Sequence, residues 1–177
     1  LDDMGIESFL KIDSGCEESG MLKQFPVKQM LEWATQRTPE NGSIGAQIYG
    51  TKMRSIVKSV DMVRPILTQQ FQLAETICSY GLVPIIEPEV PIDHPEKALV
   101  EQELYALLEK FLNEKKFKVI LKLTPPDAPN LYHNLTVKHN VERVVFLSGG
   151  YSTEEACNRL GLNENVSASF SRALSQD

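Results

Sequence analysis

Four pairs of polar side chains recur two positions apart, each near the end of an apolar run. They are Lys11 with Asp13 in SFLKIDSG (residues 8–15), Lys52 with Arg54 in YGTKMRS (49–55), Glu87 with Glu89 in LVPIIEPEV (82–90), and Lys122 with Thr124 in FKVILKLTPP (117–126). Residues two apart in a strand share a face, so each pair points one way. Lys122 carries the most specific chemistry. A lysine held among like charges and apolar walls loses its proton more readily, and a neutral amine attacks a carbonyl to form a Schiff base. The competing reading is a buried lysine merely paired with Glu87 or Glu89. Glu-Pro-Glu aims two carboxylates into one space, where crowding raises one carboxyl's pKa while its neighbour stays ionised; that is an acid/base device. Unpaired buried charges are costly, so Lys11, Lys52, Arg54 and Lys122 call for Asp13, Glu87, Glu89 or an anionic ligand. Four cations against three anions leave a surplus positive charge, which suits a phosphorylated substrate.

Two further runs end in small polar residues: RVVFLSGGYS (143–152) and SASFSRAL (167–174). Ser148-Gly149-Gly150 lies between a strand and a capped helix, where a glycine backbone comes close to an anion and free N–H groups meet it. A plain tight turn is the alternative. Arg172, after Ser169-Phe170-Ser171, is placed to close on the same phosphate with a bidentate fork.

Between the runs the apolar spacing is helical. Val27, Met30, Leu31 and Ala34 follow Pro26, and Ile66, Gln70, Leu73, Ala74 and Ile77 follow Pro65 up to Gly81. Val100, Leu104, Leu107, Leu108 and Phe111 form a third stripe on a helix starting near Pro95. A shorter helix is expected from Pro129 to His139, and Ser152 with Glu155 makes a capping box for one ending at Gly161. Strands alternating with helices, each carrying reactive groups at its C-terminal end, predict a (β/α) barrel with its active site at that rim.

Composition sets outer limits. The 177 residues are 42% hydrophobic, enough for one core, and 18 basic against 24 acidic residues give a net charge of −6. The whole of residues 1–177 reads as a single domain. No basic stripe favours nucleic acid, and no apolar stretch reaches the ~20 residues of a membrane span. Three widely spaced cysteines fit reduced thiols in the cytoplasm, and His94, His133 and His139 fall in loop or helix contexts. No metal or other cofactor is expected.

Six segments carry a resemblance: FLKID (9–13), YGTKMRS (49–55), GLVPIIEPEV (81–90), VILKLT (119–124), LSGGYS (147–152) and ASFSRAL (168–174). In order, they resemble the strand motifs of class I fructose-1,6-bisphosphate aldolase of the bacterial type. The resemblance implies a (β/α)8 TIM barrel of which about six units are represented. It implies a lyase cleaving fructose 1,6-bisphosphate reversibly to dihydroxyacetone phosphate and glyceraldehyde 3-phosphate, a step of glycolysis. By this resemblance Lys122 forms the imine, Glu87 shuttles protons with Glu89 as its companion, and Lys52 stabilises charge beside the imine. Arg54 lies near one phosphate, Lys11 at the substrate's edge, and Ser148, Gly149, Ser171 and Arg172 grip the other phosphate.

The family's barrel has two strand-helix units before the point matching Leu1 and a helical tail after that matching Asp177. The chain is therefore expected to be N- and C-terminally incomplete and inactive alone. Ser171 stands where a glycine is common. Two other readings stay open: a different Schiff-base phospho-aldolase of the same fold, or an inactive barrel fragment serving as a binding module. The partner expected is a phosphorylated sugar, with room for a homo-oligomer.

Overall fold

The computed structural model describes residues 7–36 and 48–170. Six parallel strands follow one another across a single sheet in chain order: β1 (Ser8–Lys11), β2 (Ile48–Ile56), β3 (Val83–Glu89), β4 (Val119–Leu123), β5 (Val141–Phe146) and β6 (Ser167–Ala168). Helices α1 (Val27–Thr35), α2 (Val60–Ser79), α3 (Lys97–Glu114), α4 (His133–Thr136) and α5 (Thr153–Gly161) alternate with them. The sheet curls into a half-barrel, a partial (β/α) TIM barrel, with the helices on its convex side.

Alternation along each strand sorts the side chains. In β4, Val119, Leu121 and Leu123 join the core under the helices, while Lys122 turns to the concave face. In β2, Met53 joins that core while Lys52 and Arg54 face the hollow. Helix α2 supplies Val63, Ile66, Leu67, Phe71, Ala74 and Ile77 to the same core. Each fully buried aliphatic or aromatic side chain of this kind contributes roughly 1.5–3 kcal/mol. Phe71 stacks on Phe111 of α3 with centroids 4.9 Å apart, so the two helices pack as one layer.

Two helices differ from their predicted extents. Helix α2 starts at Val60 and carries Pro65 inside it, at the cost of the N–H that would reach the Asp61 carbonyl. Helix α4 is four residues, not the stretch from Pro129 to His139, because Asn130 adopts φ 63°, a left-handed geometry that no helix continues through. Asn140 donates instead to the carbonyls of Leu112 (2.7 Å) and Lys115 (2.8 Å), closing the end of α3. Half of the expected capping box forms: Ser152 Oγ accepts from the Glu155 N–H at 3.2 Å, while the Glu155 carboxylate accepts from Arg159 Nε at 2.7 Å.

The strand pairing is uneven. β2 and β3 pair over Gly50–Ile56 against Val83–Glu89, whereas β3 and β4 pair only at Ile85↔Ile120 and Ile86↔Leu121. Beyond that point a side chain joins them: the Thr124 hydroxyl accepts from Val90 N–H (3.0 Å) and donates to Val90 C=O (2.8 Å). Thr124 is thus a strap between strand ends and not a cleft residue beside Lys122, since β4 ends at Leu123 and its alternation with it. Thr124→Val should lower the unfolding free energy by about 1–3 kcal/mol, because both Val90 groups lose a buried partner. Urea unfolding measures this, with Thr124→Ser expected to keep most of the stability.

Candidate active site

At the C-terminal ends of the strands lies a cleft of about 430 Å³, lined by Lys11, Asp13, Gly15, Cys16, Lys52, Arg54, Glu87, Glu89, Lys122, Leu147, Ser148, Gly149 and Ser169. Eight of the ten residues singled out from sequence meet here. The other two, Ser171 and Arg172, lie outside the described residues. Parallel strands in sequential order bring these groups together, since each strand's last inward residue reaches one rim.

The charges form a chain of pairs around the cleft wall. Lys11 Nζ stands 2.9 Å from Asp13 Oδ1, and Arg54 Nη1 stands 3.3 Å from Glu89 Oε2. Asp13 also accepts from the Gly15 N–H (3.1 Å) and the Arg54 N–H (3.3 Å), tying the loop after β1 to β2. At the centre Glu87 serves two lysines: Oε1 is 3.2 Å from Lys122 Nζ and Oε2 is 3.9 Å from Lys52 Nζ. Oε2 is buried without a hydrogen-bond partner. The expected surplus of one positive charge therefore sits on Lys52 and Lys122, which share a single carboxylate.

Glu87 is 2% exposed and Lys122 7%. Burial pushes the Lys122 amine below the usual lysine range; Glu87 opposes this and neighbouring Lys52 adds to it. Burial likewise raises the Glu87 carboxyl, against the opposing pull of Lys122 and Lys52. Both shifts disfavour the charged form of the group concerned. The cause differs from the expected carboxylate crowding. Glu89 turns to Arg54 and is the smallest contributor to the Glu87 shift, while desolvation is the largest.

The opposite wall is backbone. Gly149 (φ 59°) and Gly150 (φ 111°) adopt left-handed geometries before α5, and a Cβ on Gly149 would come within 2.8 Å of the Leu147 side chain. Several cleft residues escaped the sequence reading. Gly15, Cys16 and Ser169 come from loops, whose inward residues follow no period. Cys16 donates to the Arg54 carbonyl at 3.1 Å, and burial pushes its thiol up. Gln70 was legible only as a glutamine in an apolar stripe; it is fully buried behind Glu87.

A second polar cluster steadies the chain just past Lys122. Lys97, 5% exposed, pairs with Glu101 and donates to the Pro125 carbonyl (3.0 Å) and to Asp127 (2.9 Å). Arg159 of α5 reaches Asp127 at 3.3 Å and stacks over Tyr151. Among the described residues no group of His, Cys, Asp and Glu is arranged to hold a metal ion, and none of the three histidines lines the cleft. No helix of the described residues is long and apolar enough to cross a membrane.

Lys122→Met should raise the Glu87 pKa further, since Lys122 is the largest influence holding it down. A carboxyl whose folded value exceeds its unfolded one stabilises the fold below the unfolded value, and that stability is lost as pH rises through the folded value. The variant's unfolding free energy should therefore fall more steeply than the parent's as pH rises from the ordinary carboxylate range. Urea titrations at a series of pH values measure this, and parallel slopes would contradict it.

No protein-family model matches the chain. Among solved structures it is similar to a fructose-bisphosphate aldolase from Plasmodium falciparum, seen in a ternary co-crystal with TRAP and a small-molecule inhibitor. The TM-score is 0.72 at 21% sequence identity, covering 99% of this chain and 61% of that one. The chain thus spans about three fifths of that protein's length. At this identity the likeness shows the fold alone: the described strands are those of a partial (β/α) barrel.

Proposed function

We propose that this chain carries the catalytic centre of a Schiff-base aldolase that cleaves fructose 1,6-bisphosphate reversibly to dihydroxyacetone phosphate and glyceraldehyde 3-phosphate. The observation that carries the reading is the Lys122 amine, buried at the rim with its pKa lowered and 3.2 Å from a carboxyl whose pKa is raised. The strand motifs and the aldolase barrel support the same assignment.

Lys122 Nζ attacks the ketone carbon, giving a carbinolamine. Glu87, whose carboxyl burial raises above the usual range, protonates the departing hydroxyl, which leaves as water and yields the protonated imine. That imine accepts the electron pair of the bond between the third and fourth carbons. As the bond breaks, Glu87 takes the proton from the hydroxyl on the fourth carbon, the aldehyde leaves, and an enamine remains on Lys122. Reprotonation and hydrolysis return dihydroxyacetone phosphate and the free amine. Lys52, beside Glu87 Oε2, offsets negative charge as it develops.

Glu89, held by Arg54, supports the electrostatics of this centre. Ser148 and Gly149, with Ser171 and Arg172, are assigned to one phosphate; Arg54 and Lys11 are assigned to the far end of the substrate. A cleft of about 430 Å³ with surplus positive charge suits an anionic ligand of sugar-phosphate size. Three unpaired thiols support a reducing, cytoplasmic setting.

Incubating the protein at its natural length with dihydroxyacetone phosphate and borohydride should leave a stable adduct on Lys122, located by peptide mass spectrometry. Lys122→Arg should lose the adduct and lower cleavage by about 10³-fold or more. An adduct with deoxyribose 5-phosphate alone would replace this reading with another Schiff-base aldolase. The lack of any adduct would leave a binding module.

A further inference from the structure

We propose that two adjacent glutamines of α2, Gln69 and Gln70, are positioning residues: a two-pronged brace that holds Glu87 on one wall of the cleft and the loop carrying Gly15 and Cys16 on another. A carboxamide presents one acceptor and paired donors at the spacing of a peptide group, so it can take the place of a neighbouring strand. Both side chains do this. Gln70 Oε1 accepts from the Glu87 N–H (2.9 Å), while its Nε2 donates to the Glu87 carbonyl (3.2 Å) and to Ser55 Oγ (2.8 Å). Gln69 Oε1 accepts from the Leu22 N–H (2.8 Å) and its Nε2 donates to the Leu22 carbonyl (2.9 Å).

Consecutive helical residues point about 100° apart, so one turn of α2 grips two separate segments. Leu22 is bonded into the loop it steadies. It pairs with Cys16 across an antiparallel bridge, and the Lys23 N–H donates to Gly15 C=O at 3.0 Å. The loop is also pressed onto β2: the Ile56 N–H donates to Gly20 C=O at 2.9 Å, and a Cβ on Gly20 would sit 1.8 Å from the Ile56 oxygen. Movement of Leu22 is therefore transmitted to Gly15 and Cys16 in the cleft wall.

The cost of such a device marks it as more than packing. Gln70 is fully buried on the face of α2 that carries Ile66, Leu67 and Ala74, where an amide without partners is expensive and an aliphatic residue would serve the core. Its bonds go to the backbone of the residue whose carboxylate meets Lys122. A shift of about 1 Å in a working group costs on the order of 10²-fold in rate, which is what fixing that backbone prevents.

The brace rests on Glu87 and Lys122 being the working pair proposed above, so its test reads the amine without any sugar. Reductive methylation of the protein with formaldehyde and borohydride across a pH series, followed residue by residue by mass spectrometry, gives the midpoint at which Lys122 becomes reactive. Gln70→Met should lower that midpoint, because Glu87 drifts from the amine it helps keep charged. Gln69→Met should leave the midpoint unchanged but speed amide hydrogen exchange in residues 15–23 about tenfold. Gln72→Met, an exposed neighbour on the same helix, should change neither. Where Gln70→Met fails to fold, Ser55→Ala, which frees one amide bond, should move the midpoint the same way by less. An unmoved midpoint in folded Gln70→Met or Ser55→Ala overturns the proposal, as does an equal effect from Gln72→Met. Failure of borohydride trapping by dihydroxyacetone phosphate would sink the aldolase reading and leave the labelling result standing.

Discussion

A carboxylate and an ammonium removed from water at one strand rim, Glu87 and Lys122 at 3.2 Å, set the terms for everything around them. Each loses hydration, and their mutual attraction only partly restores it, so the charged states of both are disfavoured. Such a pair survives when its surroundings hold it in place. Glu87 Oε2 has Lys52 at 3.9 Å and no hydrogen bond, which leaves one buried carboxylate oxygen without a close partner.

The surroundings answer with side chains that bond to backbone where the sheet ladder stops. Thr124 straps β4 to Val90, Gln70 brackets Glu87, Gln69 brackets Leu22, and Asp13 collects two N–H groups. Lys97, shared among Glu101, Asp127 and the Pro125 carbonyl, anchors the chain three residues beyond Lys122. All of these bonds but the one to Leu22 fix main chain within a few residues of a cleft charge. The core beneath, with α2 and α3 layered on the sheet, backs those positions.

Much of this was visible in the order of residues. The strand runs and the charged pairs at their ends rest on period-two alternation, a local property that any strand imposes on its own side chains. The N-cap at Ser152 is equally local. What misled was also local: Pro65 reads as a helix start, yet α2 extends five residues before it because Val60 and Val63 have core to pack on. Thr124 reads as the companion of Lys122, yet its strand ends one residue earlier.

The sequence by itself therefore determined which runs of the described residues become strands, that Lys52, Arg54, Glu87, Glu89 and Lys122 turn inward, and that lysines and carboxylates would meet at one rim. Only the tertiary structure decided who meets whom. Glu87 takes two lysines while Glu89 takes Arg54, and two glutamines of one helix reach segments seventeen and forty-seven positions away. Those partners depend on inter-strand register and on the curl of the sheet, which arise from packing between elements distant along the chain.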